Sequence, residues 1–439
     1  MHQEKSAHEN KVGKIRMKLK LKKFFKKKED EEQILFEEAQ EDPDIRIETF
    51  EMTPDPQEKE DFWTKIKKHE HLVKNRNILA MGILCIVLFG LGAFLFFHTG
   101  STYITADRVE KNDVSGTKYL EFGDYFLKYS SDGVACVDSK SQVLWSSTFS
   151  MQAPFVDVCG TTAVIADQQG TQIYVYKEDG LAGEFQTRLP IQKARVASQG
   201  VVAVILEDEE VTWVNFYDAA GTLIAENRTT IDDFGYPLDM DLSPDGLKMA
   251  VSYMRVLGNK ISTHIAFYNF GSAGQMELNN QVGELDADNV LAPEIFFCDN
   301  STAVAVRTDG FTVFSGSQAP KEKKTVSFEQ EILSTFYDGN RIGFVFDGGD
   351  SGHKYQMKVY NTGGKNTMQK YFDLQYNNIT LQKDKIVMFN EKEFAVYKLN
   401  GQKKFQGKYR KPIQNVLDVR GFRKYMVITE DSADLVRLG

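Results

Sequence analysis

Cysteine is scarce: four in 439 residues, at positions 85, 136, 159 and 298. No two are adjacent and none form a C-x-x-C pair, which excludes a disulfide framework and a paired-cysteine metal site. Buried free thiols are expected, with a Cys136–Cys159 bridge as the alternative. Histidine is nearly as rare, and beyond residue 97 only His98, His264 and His353 occur. None has a partner at helical ligand spacing, which weighs against a zinc hydrolase and against histidine acid–base chemistry. G-x-S-x-G, P-loop, H-E-x-x-H and EF-hand patterns are missing. Helical periodicity is missing from residue 99 onward.

One long hydrophobic run is present. Residues 78–97, ILAMGILCIVLFGLGAFLFF, carry no charge across 20 positions. At about 1.5 Å per helical residue such a run spans roughly 30 Å, the hydrocarbon thickness of a bilayer. In lipid its backbone is satisfied only as a helix. A cleavable signal peptide is disfavoured, because 77 residues precede the run. Lys65, Lys67, Lys68, Lys74 and Arg76 flank it on the N-terminal side, whereas Arg108 and Lys111 are the first basic residues after it. The positive-inside rule then places residues 1–77 in the cytoplasm and the rest of the chain outside. The expectation is a single-pass protein of the cell membrane.

Charge is segregated along the chain. Residues 1–98 hold 18 of the 53 basic and 18 of the 62 acidic side chains, so the net −9 belongs to the remainder. An acidic main domain argues against nucleic acid as a partner. Residues 11–28, KVGKIRMKLKLKKFFKKK, contain ten Lys or Arg. There Lys18, Lys20, Lys22, Lys23, Lys26 and Lys27 surround Phe24 and Phe25, a pattern suited to lying on an anionic inner leaflet. A solvated arm and capture of RNA are the alternatives. Residues 29–61 reverse the sign, with 15 acidic side chains against Arg46 and Lys59, and read as a disordered linker.

The remaining chain repeats. QIYVYKEDG (172–180), TWVNFYDAAG (212–221), THIAFYNFGSAG (263–274), YQMKVYNTGG (355–364) and EFAVYKLNG (393–401) share one plan. Each is an alternating strand, then a Tyr, then a polar turn reaching Gly. A second turn recurs at Gly123, Gly160, Gly200, Gly246, Asn300, Gly339, Asp384 and Gly421. Its spacing fits about four short strands, the length of a propeller blade. The expected fold is an all-β propeller over 115–439 with eight blades, seven and an irregular end being the alternative. The last repeat, 415–438, supplies three strands only. An open edge exposes unpaired backbone groups, so the missing outer strand is expected within residues 103–114, in the stalk that follows the apolar run.

Two stretches resemble known blade repeats. DLSPDGLKMAVS (241–252) resembles the SPDG-containing repeat of the periplasmic Tol-system propeller and its relatives. DGVACVDSKSQVLWSS (132–147) resembles a quinoprotein-type blade, in which a strand ends in Asp and a Leu-Trp pair docks between blades. Ser141 stands where that motif has Gly. The whole layout is similar to an uncharacterised family of single-pass membrane proteins from Gram-positive anaerobic bacteria. That resemblance implies an extracytoplasmic propeller-like domain of unknown function and no activity.

Candidate chemistry is thin. Ser243-Pro244-Asp245-Gly246 reads as a β-turn: Pro244 fixes φ, Asp245 bonds local backbone and Gly246 relieves strain. Asp239, Asp241 and Asp418 are candidate channel-lining residues, although inner-strand carboxylates also serve neighbouring backbone groups. Quinone-dependent alcohol dehydrogenases carry vicinal cysteines, which this chain lacks, so Trp145 and Trp213 read as structural. GGDSG (348–352) resembles a serine-protease nucleophile motif but reads as a hairpin loop, with no His–Asp partner evident. No catalytic residue, metal site or cofactor is expected. The expected function is a membrane-anchored binding or scaffolding module for a protein, peptide or envelope polymer. A sensor acting through the tail, and a quinoprotein-like or glycan-active enzyme, are the alternatives.

Overall fold

The computed structural model describes residue 64, residues 79–90 and residues 99–439, apart from 112, 115, 209 and 210. The chain divides into two compact units, Met1–Gly92 and Ala93–Gly439. In the first, residues 79–90 are helical. Among the described residues, no helix is long and apolar enough to cross a membrane. The rest of the 78–97 run, the basic residues 18–27 and the flanking Lys65, Lys67, Lys68, Lys74 and Arg76 lie outside the described residues.

The second unit is built from eight four-stranded antiparallel sheets. Blades 1 to 7 are continuous in sequence, over residues 118–148, 154–186, 191–230, 236–288, 294–327, 334–372 and 378–408. Blade 8 takes three strands from residues 413–438 and its outermost strand from Tyr103–Glu110. We letter the strands of each blade A to D in spatial order. First strands of neighbouring blades touch one another, so strand A is innermost and D is outermost.

There is no single central core. Eight hydrophobic clusters each join two neighbouring blades, and one of them joins blade 8 to blade 1. Blades therefore stack face to face, and strand B is apolar on both faces. Ala163–Ala166, Val202–Leu206, Ile342–Phe346 and Ile386–Phe389 are buried without interruption. Strict alternation survives only in the outer strands, such as Val143–Thr148, which meet solvent.

The Tyr-turn-Gly repeat has a defined geometry. All seven C–D hairpins carry a register shift just before the turn, and in five of them it falls at Tyr176, Tyr217, Tyr268, Tyr360 or Tyr397. A bulge adds local twist, and each of these rings packs in a cluster shared with the preceding blade. The turn beyond it is held by its own side chain. Asp138, Asp218 and Asn361 each accept backbone N–H groups two and four residues on. The residue closing those three turns is left-handed: Ser141 (φ 60°), Gly221 (84°) and Gly364 (73°). Ser141 thus holds a conformation that glycine fills elsewhere.

Tyr103–Glu110 closes the ring by pairing antiparallel with Ser432–Leu438. Asp434, fully buried, anchors the seam. It accepts from Arg108 at 2.6 and 2.9 Å, from Tyr409 Oη at 2.6 Å and from Arg410 at 3.2 Å. Just before this strand, Gly100 adds backbone bonds to Lys404 and Gln406 of blade 7. The alternating course of the strands puts all A–B and C–D turns on one face, called lower here. The B–C turns and the links between blades lie on the other, upper face.

Candidate functional site

Inner strands have one edge with no partner strand, so their N–H groups need other acceptors. Side chains of the preceding blade supply them. Asp157 of blade 2 accepts from Val196 N at 2.8 Å. Asp239 of blade 4 accepts from Ile295 N at 2.9 Å, and Asp241 accepts from Phe297 N at 2.6 Å. Gln382 of blade 7 makes the same stitch to Asp418 N at 2.7 Å. The carboxylates thus serve neighbouring backbone, and their second oxygens remain for the axis.

The second oxygens on blades 2 and 4 meet cations of blade 3. Arg195, on strand Ile191–Val196, donates to Asp239 at 3.0 Å and to Asp157 at 3.4 Å, and lies 4.0 Å from Asp241. Its Nε donates to Met240 O at 3.0 Å. Lys193 Nζ reaches Asp239 at 2.7 Å and Leu238 O at 3.1 Å. Glu294 accepts weakly from Thr335 at 3.4 Å, and the Tyr337 ring stacks on Phe296 at 3.9 Å. Four carboxylates therefore face two cations.

Electrostatics follow from that imbalance. Burial lifts the Asp241 carboxyl to about 7, the Asp157 charge adds to the rise, and Arg195 offsets part of it. Burial likewise raises Asp157, and it raises Glu294 with help from Asp239. Burial works against the Arg195 charge, but Asp157, Asp239 and Asp241 more than offset it, so its pKa rises. About a fifth of the side-chain surface of Asp157, Asp241 and Arg195 is accessible. The desolvation is that of a narrow channel, not of a dry core.

Two clefts open on the upper face, the first of them beside this cluster. One of about 420 Å³ lies between blades 2, 3 and 4, lined by Gln168, Gln169, Gln192, Lys193, Glu207 and Tyr236. A larger one of about 730 Å³ lies at the seam of blades 8 and 1, lined among others by Lys111, Asp113, Tyr119, Tyr129 and Asn415. There Asp113 accepts from Tyr119 at 2.5 Å and from Lys128 at 3.0 Å. Burial lowers the Lys111 pKa despite Asp113 nearby, and Lys111 donates to Thr429 O at 3.0 Å.

Residues singled out in the sequence fall into separate places. Asp239 and Asp241 share one side of strand Tyr236–Leu242 and both approach Arg195. Asp418 belongs to blade 8, across the ring, where Lys385 holds both its oxygens at 2.9 Å. Asp245 is in the turn: it accepts from Ser243 Oγ and from Leu247 N. Gly246 N closes that turn on Ser243 O at 2.7 Å. Both neighbouring blades clamp it, through Ser198 on Pro244 O at 2.6 Å and Asn300 on Asp245 N at 2.9 Å. The three carboxylates of this stretch do not converge.

Other readings resolve similarly. All four cysteines are free. Trp145 stacks on Tyr176 of blade 2 at 5.2 Å and donates to Glu178 O at 2.9 Å, so it docks between blades. The GGDSG stretch is a B–C turn with a 3-10 turn at Gly349–Ser351. His353 does find a carboxylate, Asp373, at 2.9 Å, which sequence reading missed. Ser351 Oγ, however, accepts from the backbone N–H of His353, not from its ring. Reading by sequence also passed over Asp157, Lys193, Arg195 and Glu294. The available signal was a charge inside an otherwise apolar inner strand, as in PFVDVC (154–159).

A closed ring of eight four-stranded blades around an ion-paired axis defines an eight-bladed β-propeller. The chain matches the family of unknown function DUF5711 over residues 98–438 and belongs to that family. No curated protein matches it. Among solved structures it is similar to BamB from Moraxella catarrhalis, with 11% identity and a TM-score of 0.47 over 76% of this chain and 100% of that one. It is also similar to Kluyveromyces lactis Hsv2p, with 10% identity and a TM-score of 0.43 over 67% of this chain and 97% of that one. Likenesses this distant carry nothing about function.

Proposed function

We propose that this protein is a membrane-anchored, extracytoplasmic binding or scaffolding module whose ligand contacts the upper mouth of the channel. The carrying observation is the partly accessible cluster of Asp157, Lys193, Arg195, Asp241 and Glu294 around the buried Asp239, with carboxylates in excess. An amine or guanidinium brought by a protein, peptide or envelope polymer would offset the burial and the Asp157 charge that together lift Asp241. The apolar run 78–97 and its basic N-terminal flank support the anchor and its orientation, with the bilayer as the second partner. The acidic propeller argues against nucleic acid.

Two experiments test this reading. Crosslinking and co-purification from cells of the source organism should capture a partner with the wild-type chain and lose it with Asp241→Asn plus Glu294→Gln. Equal capture by both chains refutes the channel site. For topology, a reporter active only outside the cell should work after Gly439. Activity after Lys28 instead overturns the orientation.

A further inference from the structure

A basic turn with an aromatic tip stands out on the lower face of this acidic chain. Residues 420–424, RGFRK, form the A–B turn of blade 8 and the first residue of its strand B. Phe422 is 75% exposed, and the Arg423 guanidinium lies 6.0 Å from its ring. The Arg420 side chain is 83% exposed. Lys424 sits opposite Arg437 in the sheet, and Arg437 sits opposite Ile104 of the closing strand, itself 72% exposed. Exposed Lys383 occupies the next A–B turn, in blade 7. Burial, Lys398 and Arg423 together lower the Lys404 pKa, so like charges crowd this sector. The carboxylates interleaved here are Asp124, 3.2 Å from Arg420, Asp384, the buried Asp418 held by Lys385, and the part-buried Glu121 near Lys383. The chain also enters the ring in this sector, where Thr99 and Gly100 bond to blade 7.

Cations and exposed apolar side chains make a combined demand. A soluble polyanion would neutralise the cations and leave Phe422 and Ile104 in water. An anionic lipid surface answers both, with the cations at the headgroups and the apolar side chains at the acyl boundary. We propose that the blade 7–blade 8 sector of the lower face docks on an anionic lipid surface, with Phe422 as its inserted tip. This docking is separate from the ligand of the channel.

Bromolipid quenching of full-length protein tests it. Phe422→Trp places a reporter at the tip. Its added emission should be quenched by brominated acyl chains in vesicles containing phosphatidylglycerol, and much less in phosphatidylcholine alone. High salt should remove the difference, because screening shortens the reach of the cations. In the same background, Arg420→Glu with Arg423→Glu and Lys424→Glu should lower the docked fraction relative to the undocked by roughly 100-fold, at about fivefold per cation. The milder Arg420→Gln with Lys424→Gln should move it in the same direction if the triple variant misfolds. Equal quenching in both lipids, or quenching untouched by charge changes, overturns the proposal. Self-association in phosphatidylcholine that charge reversal dissolves would assign the patch to a second copy, and also overturns it. Flotation with phosphatidylcholine vesicles reports separately on insertion of the 78–97 run.

Discussion

Asp241→Asn is the sharpest perturbation of the channel. The native Asp241 carboxyl holds its proton up to about pH 7, whereas an unfolded aspartate releases it near 4. Between those values the native state binds more protons, so this group's contribution to stability falls as pH rises through the window. A gap of about 3 units corresponds to about 4 kcal/mol at most. A fifth of the Asp241 side chain is accessible, so solvent screening is expected to leave roughly half that cost. An Asn carbonyl keeps the bond from Phe297 N and carries no charge. The variant should therefore exceed the wild type by about 2 kcal/mol at pH 8 and lose that advantage as the pH falls to about 4. Denaturant titrations of both chains across this range measure the difference. Parallel pH profiles for the two chains would refute the electrostatic account of the channel.

Three further outcomes follow from the geometry. Arg195→Ala leaves Asp157, Asp239 and Asp241 facing one another, and a loss of about 3 kcal/mol is expected in the same titration; a loss under about 1 kcal/mol would mean that channel water already screens the cluster. Ser141→Gly relieves a left-handed serine and should raise stability by about 1 kcal/mol; no gain would mean that the serine is unstrained there. Deleting residues 101–114 strips the outer strand from blade 8, bares the edge of Ser432–Leu438 and leaves Asp434 without Arg108. Loss of cooperative unfolding or self-association through that edge is expected by gel filtration and melting, and an unchanged monomer would contradict the seam.

Much of the architecture was legible because its signals are local. Gly123, Gly160, Gly200, Gly246, Asn300, Gly339, Asp384 and Gly421 each fall in an A–B turn. The Tyr of each repeat marks a bulge, and in four of the five the glycine beyond it (Gly180, Gly221, Gly364 or Gly401) has positive φ. The missing strand was deducible from an unpaired edge, and residues 103–110 occupy it. The middle strands were less legible. Val202–Leu206 reads as an apolar run, and only blade stacking explains burial on both its faces.

The channel was not legible in the same way. Asp239, Asp241 and Asp418 look alike in sequence, each an aspartate on an inner strand. Blade position separates them: Asp241 meets Asp157 and Arg195, while Asp418 is matched by Lys385 alone at 2.9 Å. By itself the sequence determined strand period, turn chemistry and the repeat, since these depend on φ/ψ preferences and neighbours a few residues away. Only the tertiary structure decided which inner-strand charges face each other. That depends on the number of blades and the angle between them, which set distances between residues some 40 to 80 positions apart, as between Asp157, Arg195 and Asp241.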